Sequence, residues 1–159
     1  MKEVAAGLWV GNQDAGVAAL QDSDWAVVNT SKVLHARLVG VPANQLRQTP
    51  NYLEFEREGL LSFNMVDGPA HLYGLLGTPA FVKALDFIDE WRGTRLVLIN
   101  CDQGMSRSPT VALLYMAKRT GEIPADSFSA ARRAFQAHYP MYNPGGIGAF
   151  VASSWSEIT

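Results

Sequence analysis

Hydrophobic positions in this chain fall into short blocks of two kinds, and the two kinds alternate. The first kind is brief and rich in β-branched or aromatic residues, the pattern of a strand. Leu8-Trp9-Val10 precedes a Gly11-Asn12 turn, and Trp25–Asn29 forms a second such block. Leu60–Val66 runs into the turn-forming Asp67-Gly68-Pro69, and Arg95–Ile99 is a fourth, buried run. The second kind keeps helical spacing. Asp14–Leu20 is a short helix with Asn12 or Asp14 as its cap. Thr78 and Pro79 suit an N-cap and first helical position, followed by Phe81, Ala84, Leu85, Ile88 and Trp91 on one face and closed by Gly93. Asp86, Asp89 and Glu90 line its outer side. Thr110–Ala117 is apolar on every face, so it predicts a buried helix, ending at Lys118-Arg119-Thr120-Gly121. Ala125–Ala137 places Phe128, Ala131 and Phe135 together and leaves Arg132 and Arg133 to solvent, and Asn143-Pro144-Gly145 opens a last helix carrying Ile147, Phe150, Val151 and Trp155. Strands alternating with helices predict a single α/β domain over residues 1–159, with a mixed, mostly parallel central sheet flanked by helices.

The pattern fails between Thr30 and Gly59, where Pro42 and Pro50 interrupt it. Residues 31–59 are expected to form an elaborated loop with room for a short helix or hairpin, and Glu54-Phe55-Glu56-Arg57-Glu58 reads as a solvated surface turn. Structureless loops of this length are usually functional or mobile, which places the segment at the rim of a site.

Composition narrows the function more than the fold. With 159 residues the chain has one ordinary core, and a net charge of −2 gives no reason to expect nucleic acid or an anionic membrane as partner. The start, Met1-Lys2-Glu3-Val4, does not read as a signal peptide, and no apolar run has membrane-spanning length. One cysteine excludes an internal disulfide and fits a reducing, cytoplasmic setting. No His/Cys cluster offers a metal site, and His35, His71 and His138 stand apart, expected as surface or capping residues.

The chemistry concentrates in Asn100-Cys101-Asp102-Gln103-Gly104-Met105-Ser106-Arg107-Ser108-Pro109. The single cysteine lies where a strand ends and a helix begins. Unpaired N–H groups at a helix start hold anions and favour a thiolate over a thiol. Arg107 adds a fork of donors matched to two phosphate oxygens, and Gly104 permits a tight cradle between the two residues.

This stretch resembles the signature of the cysteine-dependent protein phosphatases: Cys, five residues, Arg, then Ser or Thr. Gly104-x-Ser106-Arg107-Ser108-Pro109-Thr110 is most similar to the small dual-specificity branch. The Leu8–Asn12 opening, the Trp25–Asn29 strand and the Asn143-Pro144 helix start also resemble that family, whereas its members have a shorter link after the second strand. The resemblance implies a protein tyrosine/dual-specificity phosphatase-like fold and no metal or cofactor. It makes Cys101 the nucleophile, with Arg107 and the N–H groups of Asp102, Gln103, Gly104, Met105 and Ser106 as the phosphate cradle. Ser108 becomes a hydrogen-bond donor to the sulfur, and Asp67 the general acid. Asp67 precedes Cys101 by 34 residues, and no other carboxylate competes well, Asp86 and Asp89 facing outward from a helix.

One departure is Asn100, where the family has a histidine supporting the nucleophile. An amide donates a hydrogen bond but carries no charge, so a slower enzyme is expected. Asp102 is expected to face solvent, leaving only its N–H toward phosphate. With no cation beyond Arg107 in the loop, phosphoproteins or small phosphomonoesters are better expected partners than phosphoinositides or RNA 5′-triphosphates. A phosphate-binding pseudophosphatase and a rhodanese-type sulfurtransferase are the rival readings; the latter explains neither Asp67 nor the C-terminal half.

Overall fold

The computed structural model describes all 159 residues and places six strands in one sheet. They are β1 (Lys2–Ala5), β2 (Leu8–Gly11), β3 (Trp25–Asn29), β4 (Glu54–Arg57), β5 (Leu60–Phe63) and β6 (Leu96–Asn100), ordered β1-β2-β6-β3-β5-β4. The four inner strands are parallel; β1 and β4 run antiparallel along the two edges. Helices α1 (Gln13–Ala19), α2 (Lys32–Val39), α3 (Gly77–Trp91), α4 (Arg107–Lys118), α5 (Phe128–His138) and α6 (Gly145–Ser153) cover both faces, as buried parallel strands require.

Strand alternation sorts the side chains into two unequal cores. Leu8, Val10, Ala26, Val28, Leu61, Phe63, Val97 and Ile99 join the main core with α3, α4, α5 and α6. The other face buries fully only Val27, Leu60 and Leu98 with Ala19 of α1, edged by half-buried Trp9, Trp25, Leu38 and Phe55, and from there toward the strand ends it becomes polar. α4 lies within the main core; every residue from Arg107 to Ala117 is buried, which explains its lack of a polar face.

Several sequence-based expectations change. Lys2–Ala5 is an edge strand folded onto β2 through Gly7, whose φ is 73°. Of the two candidate caps for α1, Asn12 serves, its side chain accepting from Ala15 N–H at 3.0 Å. β5 ends at Phe63 rather than Val66. α3 begins at Gly77, so Thr78 is not its N-cap, and Arg92 rather than Gly93 is its C-cap. α5 begins at Phe128, capped by Ser127, later than the expected start at Ala125.

Residues 31–59 are more ordered than an elaborated loop, containing both a short helix and one arm of a hairpin. Ser31 caps α2, and Gly40 ends it with φ at 81°. A 3₁₀ helix spans Ala43–Gln48. The acidic cluster is not a surface turn: Glu54–Arg57 is the edge strand β4. Glu54 and Glu56, two residues apart on a strand, point to the same side and pair with Lys83 of α3.

Candidate active site

The strand registers align Gly11, Asn100, Asn29 and Ser62 in one row across β2, β6, β3 and β5. Cys101 is the next residue after that row, at the C-terminal edge where open α/β sheets place their sites. Between Cys101 and α4 the chain forms a cradle by turning its carbonyls outward. Gly104 accepts from the Tyr139 hydroxyl at 2.6 Å, Met105 from Asn143 N–H at 2.8 Å and Asp102 from Gln13 N–H at 3.2 Å. Ser106 Oγ donates to the Pro144 carbonyl at 3.0 Å. The N–H groups of Asp102, Gln103, Met105, Ser106 and Arg107 make no hydrogen bond within the protein, as befits an anion nest at a helix start. Gly104 is required twice over: its φ is 74°, and a Cβ there would stand 3.0 Å from the Gly11 carbonyl.

Cys101 is buried, its Sγ accepting from Gly104 N–H at 3.2 Å and lying 3.2 Å from Ser108 Oγ. Ser108 is itself positioned 3.3 Å from the Gly11 carbonyl. The Arg107 guanidinium is only 3% exposed and donates to the carbonyls of Thr30 at 3.0 Å and Met65 at 2.6 Å, the chain continuations of β3 and β5. Two distant strand ends therefore aim one side chain, a constraint that frees part of its fork for an anion.

Asp102 is exposed, as expected, with its side chain 43% accessible, but its carboxylate also lies 3.1 Å from Arg107 Nη2 and accepts from the Ser31 hydroxyl. The reason is Ser31 itself: the cap of α2 sits beside the cradle and offers the acid a donor. Asp67 lines a pocket of about 80 Å³ together with Cys101, Asp102, Gln103, Met105, Ser106 and Arg107. The Asp67 loop rests on the first turn of α6, where a Cβ on Gly146 would stand 1.9 Å from the Gly68 carbonyl.

Behind Cys101, the polar row is joined by directed hydrogen bonds. Asn100 Nδ2 donates to Asn29 Oδ1 at 3.0 Å, and Asn29 Nδ2 donates to Ser62 Oγ at 2.9 Å. Ser62 Oγ is 2.7 Å from His35 Nδ1, and His35 Nε2 is 2.8 Å from the Asn51 carbonyl. Nε2 must donate to that carbonyl, so Nδ1 accepts from Ser62 in a neutral ring. Burial lowers the His35 pKa below its ordinary 6.5, consistent with neutrality, although backbone bonds from Asn51 and Tyr52 oppose the shift. His35 is thus a core residue rather than the expected surface one. Asn100 Oδ1 has no partner, and α1 passes so close that a Cβ on Gly16 would stand 2.5 Å from Asn100 Cγ.

The structure brings Cys101, Arg107, Ser108, Asp67 and the whole 102–106 cradle together, with Asn100 directly behind them. Sequence reasoning missed the Thr30 and Met65 carbonyls, Ser31, Tyr139, Gly16 and Gly146. Carbonyls carry no sequence signal, and the others act only through close approach of distant segments. Tyr73 also packs near the site, fully buried; burial pushes its pKa up to about 12, with Arg107 acting in the opposite direction.

No protein-family model matches this sequence, and no curated protein is significantly similar to it. Its fold is that of the dual-specificity phosphatases. It aligns with the crystal structure of DUSP15 at a TM-score of 0.61 and 19% identity, covering 98% of this chain and 86% of that one. Human DUSP28 aligns at a TM-score of 0.60 and 21% identity, covering 99% and 96%. The human tyrosine phosphatase-like serine/threonine/tyrosine-interacting protein aligns at 0.65 and 19%, covering 99% and 96%.

Proposed function

We propose that this protein hydrolyses phosphomonoesters, most suitably those of phosphotyrosine and phosphoserine/threonine in proteins, through a phosphocysteine intermediate. The observation that carries the reading is Cys101 Sγ held by Gly104 N–H and Ser108 at the floor of a pocket that also admits Arg107 and Asp67. In this mechanism the Cys101 thiolate attacks phosphorus in line and a P–S bond replaces the P–O bond to the leaving group. Protonated Asp67 delivers its proton to the departing oxygen. The free N–H groups of the cradle and Arg107 hold the non-bridging oxygens. Asp67, now a carboxylate, then takes a proton from the water that attacks phosphorus. The P–S bond breaks, inorganic phosphate leaves, and Ser108 stabilises the returning thiolate by donating to sulfur.

A specific observation favours a second reading. The Asp102 carboxylate occupies part of the Arg107 fork and adds negative charge beside the incoming phosphate, and Asn100 cannot bring a charge in support of the thiolate. Both features suit a protein that recognises phosphate and turns it over slowly or not at all. One structural neighbour is itself named phosphatase-like and interacting.

Hydrolysis of a small aryl phosphate, measured in chelator, separates the two. For an enzyme, Cys101→Ser abolishes turnover and Asp67→Asn lowers it by about 10²–10⁴-fold, the usual worth of a general acid. A folded wild-type protein that binds phosphate yet shows no Cys101-dependent turnover at any pH establishes the binder.

A further inference from the structure

The segment that departs from the expected pattern encloses a second cavity, about 880 Å³ in volume, between α2, the 3₁₀ helix at Ala43–Gln48 and another 3₁₀ helix at Ala70–Leu75. This is the size of a small-molecule site and over ten times the space beside Cys101. We propose that it is a binding site for an amphipathic organic anion, a small molecule with an aliphatic or aromatic body and one carboxylate or sulfonate.

The apolar half of the argument is the lining, which is mostly hydrophobic and remains open. Val33, Val66 and Leu75 are 51%, 39% and 72% exposed, three of the few large hydrophobic side chains the fold leaves uncovered, and all three line this cavity. An apolar body seated there removes that surface from water.

The charged half is the rim. Lys32, Arg37 and Arg47 line the cavity, and no Asp or Glu does. None of the three has an ion-pair partner, a state they share with Lys2, Arg57, Lys118, Arg132 and Arg133; what marks the rim is that three such cations gather around one hollow. The Arg47 guanidinium is held 5.5 Å above the Tyr52 ring, which orders it at the edge. One lining residue, Asn64, also carries a buried polar atom without a partner, its Oδ1. Three unpaired cations around an apolar hollow without any carboxylate select an anion over a cation or a neutral lipid. The site is distinct from the phosphate pocket: Met65, Val66 and Tyr73 separate it from Arg107 and Asp67, and its occupancy does not require turnover at Cys101.

The test is a fluorescence titration of the full chain with 1-anilinonaphthalene-8-sulfonate, an apolar aryl body with one sulfonate. The expected result is a saturable, single-site enhancement. Val33→Glu, at an exposed position that leaves packing intact, weakens it at least tenfold, and Ala36→Trp, which fills the hollow, removes it. Arg132→Glu on the exposed side of α5 leaves it unchanged. Near-UV circular dichroism identical to wild type verifies that Val33→Glu is folded. Dodecanoate displaces the probe, and dodecyltrimethylammonium, with the same tail and opposite charge, does not. A probe that fails to saturate, or binds Val33→Glu as tightly as wild type, or is displaced equally by the cation, overturns the proposal.

Discussion

The Cys101–Arg107 loop and the segment from Ser31 to Gly59 touch each other, yet they are built on opposite rules. The loop carries its chemistry in near neighbours: a strand end, a glycine with positive φ and a helix start set its turn within seven residues, and distant groups such as Tyr139 and Asn143 then hold its carbonyls outward. The segment has no comparable local code. Its α2 is fixed by a Ser31 cap and a His35 buried against Ser62, its strand β4 by pairing with β5 and by Lys83 of α3. The lesson is that chemistry can be written compactly, while the shape around it is assembled from residues far apart in the chain. A substitution in the loop should therefore strike reaction rates, and one in the segment should strike stability first.

The sharpest test of that division is Arg107→Lys. Lysine keeps the charge but loses the planar fork, so kcat/KM for an aryl phosphate should fall about 10²–10³-fold. Urea unfolding of the same variant should show a much smaller change; a comparably large loss of stability would mean that the loop also holds the fold together.

Next in size is Gly146→Ala, which reaches the site from a third region. The added methyl cannot coexist with the Gly68 carbonyl at 1.9 Å, so the Asp67 loop must move. We expect kcat to fall roughly 10–100-fold, with esters of basic leaving groups losing most because they depend on the acid. A uniform loss across leaving groups would place the damage elsewhere than Asp67.

His35→Gln addresses the segment. Breaking a buried hydrogen-bond chain should cost about 1–3 kcal/mol of stability. A folded-state pKa below 6.5 means that the unfolded chain binds more protons in acid, so wild-type stability should drop as pH falls below about 6.5 and level off at the lowered folded value. His35→Gln should flatten that component, read as urea midpoints at pH 7.5 and 5.5, since exposed His71 and His138 remain in both proteins. If turnover fell as steeply as stability, the Asn100–Asn29–Ser62–His35 chain would couple the two regions and the division would fail.

The smallest effect is expected at their point of contact. Asp102→Asn removes the partner of Arg107 and a negative charge beside the substrate while keeping the backbone N–H, so KM should fall about fivefold, in line with a partly exposed ion pair. An unchanged KM would show that Asp102 leaves Arg107 free when phosphate arrives.

The sequence by itself determined the elements that repeat a strong period and the chemistry held within a few residues. The four inner strands, most of the helices, and the Cys101, Gly104 and Arg107 set were legible because local spacing suffices for them. Ser108 and Asp67 were legible only through resemblance, since a Ser after Arg has no distinctive spacing and Asp-Gly-Pro alone is a turn. Tertiary structure decided the rest. β1 and β4 exist because edge strands find partners, a gain invisible in a four-residue window, and His35 is buried because Ser62 and Asn51 meet it there. Asp102 stays exposed yet leans toward Arg107, because Ser31, 71 residues away, offers its carboxylate a hydroxyl. Backbone carbonyls aim Arg107, and they are identical at every position in the chain, so only the fold could choose which two would do it.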